Sequence, residues 1–197
     1  DAVAASPAHR AVATGDGRWH WLMVNCADAL LADIGVRRAI AVGLDRTRLA
    51  SEGFGPHAHP LLGGVIAPWC FAAAPDLQAY LPHGDPALAR TILDTSGVPP
   101  GTPIRIAALA TLPIAQRQAQ LVAGQLRGFG LDASVTILTA AEWGETVRRG
   151  GAFQLATSYW GSPINDPDDF TYMGFRSGAR YDIGQCGTPA LDELLEA

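Results

Sequence analysis

Asp33-Ile34-Gly35-Val36-Arg37-Arg38-Ala39-Ile40-Ala41-Val42-Gly43-Leu44-Asp45-Arg46 is the stretch from which the fold is best read. Asp33 stands where a side-chain oxygen can cap a helix. Val36, Ala39, Ile40 and Gly43 then fall on one helical face, and Asp45 can cap a second helix. The pattern predicts a helical pair over roughly 34–52. Upstream, residues 1–17 are small and polar and read as a lead-in segment. Arg18 to Asn25 alternates, with Trp19, Trp21 and Met23 on one side and His20, Leu22 and Val24 on the other. Both sides are largely apolar, which predicts a strand covered on both faces.

Downstream, residues 53–84 are rich in Gly, Pro and His without a sustained period and read as a long surface excursion. Asp85-Pro86 opens a helix that Gly97 ends. Ile104 to Leu109 reads as a strand. Thr111 is the expected cap of a helix running to about Arg127, with Ile114, Leu121, Val122 and Leu126 inward. Leu131 to Leu138 is the next strand, followed by a short helix from Ala140 to Arg149, a strand from Phe153 to Trp160 and a closing amphipathic helix after Pro189. Strands alternating with helices predict an α/β fold, a mixed sheet flanked by helices with parallel pairs.

The spelling of four segments carries a resemblance. Residues 33–46 are similar to the D-x-x-V-R-x-A-x-x-x-x-x-D-R signature of the family 5 extracellular solute-binding proteins, the dipeptide, oligopeptide and nickel receptors of ABC importers. Asp85 to Gly97 resembles the family's D-P-x-x-A-x-x-L-L-x-x-x-G helix. Gln120 to Leu138 resembles its helix ending L-x-x-x-G-I followed by a strand. The C-terminal helix resembles N-P-x-x-D-x-L-L-x-x-A, with Thr188 in place of Asn. The resemblance covers about 18–197 and implies one lobe, the second, of a type II periplasmic-binding-protein-like clamshell. The chain is therefore expected to be a fragment of a longer two-lobe protein, processed or cut, since it starts at Asp1.

The resemblance also implies the site. The strand ending at Trp160 and breaking into Gly161-Ser162-Pro163 reaches the carboxyl edge of the sheet, where ligands bind in open α/β folds. By itself that pattern fits a core Trp and an ordinary capped turn better than a ligand site, since large aromatics are usually packing. In peptide-binding relatives this Trp lines the cleft, and an Asp three residues on holds the peptide's amino group; here that position is Pro163. The expected ligand-binding residues are Trp21, Met23, Trp143, Tyr159, Trp160, Gly161, Ser162 and Asn165, a set suited to a bulky, apolar or planar ligand; core positions fit Trp21 and Met23 equally well. Asp166 and Asp168 are expected to cap a helix. The implied function is capture of a small solute, oligopeptide-like or other, in an interlobe cleft and its delivery to an ABC permease of the inner membrane. The implied setting is periplasmic or that of a cell-surface lipoprotein. The missing first lobe is the other implied partner. The alternative is the ligand-sensing domain of a transcriptional regulator with the same fold.

Composition bounds these readings. The 197 residues suffice for one substantial core, or two small ones. The net charge of −5 and the scattered basic residues, 14 in number and all Arg, give nucleic-acid binding no support. No run approaches the ~20 apolar residues of a membrane span. Nucleophile–base motifs, phosphate loops and cofactor fingerprints are absent, so no catalytic residue, cofactor or metal is expected. His57-Ala58-His59 has the spacing of a metal pair but no third ligand is placed by the sequence. Cys26, Cys70 and Cys186 allow at most one internal disulfide, and three idle thiols fit equally well.

Overall fold

The computed structural model describes residues 18–66, 68, 70–74, 76–149, 151–161, 164 and 166–197. The lead-in 1–17 lies outside the described residues. Four strands, β1 (Arg18–Val24), β2 (Thr102–Leu109), β3 (Leu131–Leu138) and β4 (Leu155–Gly161), form one sheet in the order β1-β4-β2-β3. β2 pairs in parallel with both β3 and β4, and β1 is antiparallel to β4. The expected mixed sheet is therefore present.

The helices begin where local chemistry starts them. Asp33 accepts the Gly35 N–H at the start of α1 (Ile34–Gly43), and Asp45 accepts the Arg48 N–H at the start of α2 (Arg46–Phe54). Asp85 accepts the Leu88 N–H ahead of α3 (Pro86–Thr95), which has Pro86 in its first turn. Gly97, at φ +72°, takes the left-handed conformation that closes α3. The predicted α1 face, Val36, Ala39, Ile40 and Gly43, is the buried one. It packs with Leu93, Ile104, Ile106, Val122, Leu126, Phe129 and Leu155 in the main core on one side of the sheet.

Two expectations for α4 (Pro113–Gly128) are corrected. Its N-cap is Leu112, which makes no side-chain cap bond; Pro113 opens the helix and displaces Thr111 outward by a residue. Ile114 is 48% exposed; the sheet-facing row is Ala115, Ala119, Val122 and Leu126. Small residues let α4 approach β4 closely enough for the buried Thr157 hydroxyl to donate to the Ala115 carbonyl at 2.8 Å.

The other face of the sheet carries α5 (Ala140–Trp143), opened by a Thr139/Glu142 capping box and continued by a π-helical stretch over Gly144–Arg149. Trp143, Val147, Phe153, Ala107 and Ala156 form a second core there. A 3-10 turn (Pro167–Asp169), α6 (Thr171–Phe175) and α7 (Pro189–Leu195) complete the chain, with Thr188 capping α7. The excursion at 55–84 folds back onto the protein: Leu61 and Val65 pack on an aromatic cluster and Arg46 stacks over Tyr80. Cys26 and Cys186 form a disulfide and Cys70 is free, which resolves the alternatives left by three cysteines.

Candidate functional site

The last pairing of β4 with β2 is Ala108 opposite Thr157. Beyond it, Ser158 to Gly161 pair with β1 alone, so β1 and β4 leave the sheet as a two-stranded ribbon. Strand alternation puts Trp19, Trp21, Ser158 and Trp160 on one ribbon face and Arg18, His20, Tyr159 and Gly161 on the other. This ribbon stands at the carboxyl ends of β2, β3 and β4, the edge where open α/β sheets bind ligands.

On the first face, Trp21 and Trp160 are half-buried and come together, ring centroids 5.9 Å apart. Phe170 sits between them and Trp19, 4.7 Å from Trp21, 5.3 Å from Trp160 and 5.3 Å from Trp19. Phe175 and Tyr181 extend the group. Trp160 Nε1 donates to Asp169 Oδ2 at 2.9 Å, which ties one edge of the indole. Trp21 Nε1 is buried and meets no acceptor among the described residues. Such a donor costs about 1–3 kcal/mol while it stays unpaired. Asp166 accepts the Asp168 N–H and starts the 3-10 turn, which is the structural role expected of it.

The other expected residues are divided between locations. Met23 lies on the same face two positions along β1, but packs with Trp143 on the second core. Trp143 is only 6% exposed, so its ring belongs to packing and does not converge with Trp21 and Trp160, a correction to the expected cluster. The physical reason is the capping-box helix: it aims Trp143 at Ala107 and Ala156 on the flat part of the sheet. Tyr159 is turned to the opposite face, 5.7 Å from His20 and under the Arg18 guanidinium. Gly161 is exposed at the end of the ribbon. Ser162 and Asn165, with Pro163, lie outside the described residues. Sequence reading missed Asp169, Phe170, Phe175 and Tyr181. The one signal available for the three rings was their aromatic spacing after the strand.

A second concavity of about 440 Å³ lies between α1–α2 and the C-terminal half of α4, lined by Asp45, Arg48, His83, Gln120 and Gly124 among others. It contains none of the expected residues. Among the described residues no three His, Cys, Asp or Glu are grouped to hold a metal ion.

Residues 2–182 match the family described as bacterial extracellular solute-binding proteins, family 5 middle. The chain belongs to this family. A di/tripeptide-binding protein of Pseudomonas aeruginosa is 31% identical over 140 residues. That match takes in 68% of this chain and 25% of the relative, so the chain spans about a quarter of the curated relative's length. Among solved structures, an ABC transporter substrate-binding protein from Listeria monocytogenes superposes with a TM-score of 0.82 at 18% identity, over 92% of this chain and 37% of that one. A periplasmic binding protein from Helicobacter pylori, solved with the peptide STSA, gives 0.75 at 23% identity, over 91% and 35%. A Staphylococcus aureus protein solved with Ni(L-His)2 gives 0.75 at 17%, over 92% and 38%. These likenesses show the fold. The family is one of extracellular solute-binding proteins and not of enzymes.

Proposed function

We propose that this chain is the second lobe of a solute receptor for an ABC importer, and that the ribbon end supplies half of the ligand cleft. The observation that carries this reading is the Trp21–Trp160 pair, held on a ribbon at the carboxyl edge of the sheet and backed by Phe170. Flat, preorganised aromatic surface binds apolar or planar groups at low entropic cost. Gly161, Ser162 and Asn165 would supply backbone and polar contacts beside it, with Met23 and Trp143 supporting from beneath. The missing first lobe would close over this edge by hinge motion, and the loaded receptor would deliver its ligand to an inner-membrane permease. The protein would act outside the cytoplasm, in the periplasm or as a cell-surface lipoprotein, without catalysis.

The di/tripeptide-binding relative supports a peptide-like ligand. Pro163 offers no carboxylate, so an amine anchored at that position is not expected. The test is calorimetry on the full-length protein with trialanine and N-acetyl-trialanine. Trp160→Ala should weaken binding of whichever is bound by about 1–3 kcal/mol, the loss of a buried aromatic contact. Pro163→Asp should favour the free amine. Unchanged affinity in a folded Trp160→Ala variant would place the site elsewhere.

A further inference from the structure

Between α6 and α7 the chain runs from Arg176 to Thr188 without a helix or strand. It crosses the face of β1 and β4 that carries Trp21 and Trp160. At its far end the Gly184 carbonyl accepts the Cys26 N–H at 2.7 Å. Gly184 lies so close to β1 that a Cβ there would stand 2.6 Å from the Val24 carbonyl oxygen. Ile183 packs on the second core. Nearer α6, the Tyr181 ring meets Trp160 edge-on, centroids 5.0 Å apart and planes at 85°. Tyr181 N donates to the Met173 carbonyl, and Ser177 N to Asp192 of α7. Asp182 knits the turn by accepting the N–H groups of Cys186 at 3.1 Å and Gly178 at 3.4 Å. Asp182 is partly buried, which raises the pKa of its carboxyl.

We propose that the Cys26–Cys186 disulfide is a covalent lock on this strap, and that Tyr181 is thereby a positioning residue which sets the indole of Trp160 at the ligand edge. The importance of Trp160 for ligand rests on the function proposed above; the mechanical claim does not. The inference comes from the distribution of holds. On the α6 side the strap is tied by hydrogen bonds that survive reduction. On the β1 side the non-covalent ties among the described residues are the Cys26–Gly184 hydrogen bond, the Cys186 sulfur 3.6 Å from the Val24 carbonyl oxygen, the close approach of Gly184 to Val24 and the packing of Ile183. One peptide hydrogen bond contributes roughly 0.5–1.5 kcal/mol net, too little alone to immobilise a strap of this length. Opening the disulfide adds two electrons and two protons and yields two thiols. The reductant is a dithiol, itself oxidised to a cyclic disulfide. The freed end of the strap can then lift from β1, and the Tyr181 ring, still tied through its own N–H to Met173, loses the clamp that holds it against Trp160.

The test needs no ligand, so its failure is distinct from failure of the binding reading, which the Trp160→Ala affinity measurement addresses. Hydrogen exchange and the indole N–H resonances are followed on the 197-residue chain, oxidised, reduced with dithiothreitol, and as C26S/C186S. Reduction and the double substitution should each speed exchange across 182–188 at least tenfold and leave α1, β2 and α4 unchanged. Both should move the Trp160 indole resonance and spare that of Trp143. With the disulfide intact, Tyr181→Ala should move the Trp160 resonance in the same direction and Tyr181→Phe should leave it in place. Strap exchange or a Trp160 resonance that ignores reduction would overturn the proposal, as would equal effects of Tyr181→Ala and Tyr181→Phe.

Discussion

Gly43→Ala should destabilise the protein, against the usual effect of removing a glycine from a helix. Gly43 is the last residue of α1 and faces α3 and the end of α4. A Cβ there would stand 2.6 Å from Phe129 Cε1, 2.9 Å from Phe129 Cδ1 and 2.8 Å from the Ala89 Cβ. Phe129 is 2% exposed and Ala89 is fully buried, so neither can swing into solvent. Relieving the overlap means moving α1 away from α3, the kind of overpacking that costs about 1–3 kcal/mol. The gain in helix propensity is at most about 1 kcal/mol, and less at a helix end. The net loss is about 1–2 kcal/mol, or about 2–8 °C in Tm for a chain of this size. Gly124→Ala is the control. That glycine lies within α4 with nothing near its Cβ position, so the same substitution should stabilise by about 0.5–1 kcal/mol. Urea unfolding followed by circular dichroism reads both, with constant m as the sign that stability alone has changed. Ala89→Gly should recover part of the Gly43→Ala loss, giving a coupling of at least about 0.5 kcal/mol. If both alanines stabilise alike, the close approach of α1 to α3 and Phe129 is wrong.

Other substitutions probe the parts nearer the site. Asn25 is 2% exposed and its Nδ2 donates to the Gly151 and Phe153 carbonyls at 2.7 and 2.8 Å. Asn25→Asp sets acceptor against acceptor, so urea unfolding should show a loss of about 3 kcal/mol or more, growing as pH rises and the carboxyl ionises. Trp160→Phe keeps a ring against Phe170 and Tyr181 but loses the bond to Asp169; its stability loss, about 1–2 kcal/mol, should be smaller than that of Trp160→Ala in the same assay. In acid, Glu142 and Asp192 are held below their ordinary values of 4.5 and 3.8 by hydrogen bonds from Thr139 and Ser177. The stability they add is present above those ordinary values and is lost as pH falls through the lowered ones. Glu142→Gln and Asp192→Asn should therefore flatten the acid limb of a Tm-against-pH curve.

What could be read from the sequence is what short-range chemistry decides. Asp33, Asp45 and Asp85 each cap the helix assigned to them, because a cap is a bond across two or three residues. The buried face of α1 follows from the helical period alone. Thr111 failed because Pro113 can open a helix without a cap bond, and a threonine two positions earlier then lies outside it. Trp143 failed for a different reason. Whether a half-apolar helix turns its tryptophan to a cleft or to a core is set by how that helix docks on the sheet, and no local pattern records docking.

The ribbon shows why the site itself was only partly legible. Alternation in β1 places Trp19 and Trp21 on one face and predicts that face to be covered, but does not say by what. The covering groups include Phe170 and Tyr181, from a turn and a strap that follow β4, and Leu61 and Val65 from the excursion after α2. The strap is held by a bond between residues 160 apart in sequence, a separation at which spacing carries no geometric information. Its consequence is physical. Past Thr157 the ribbon has no third strand among the described residues, and a two-stranded ribbon is marginal alone in water. It holds its shape only because aromatic packing covers one face and His20, Tyr159 and Phe54 pack on the other. The rings that keep the ribbon rigid are thus the rings that orient Trp160. Substitutions at this edge should therefore move stability and ligand affinity together, whereas a change such as Gly43→Ala on the far side of the sheet should move stability alone.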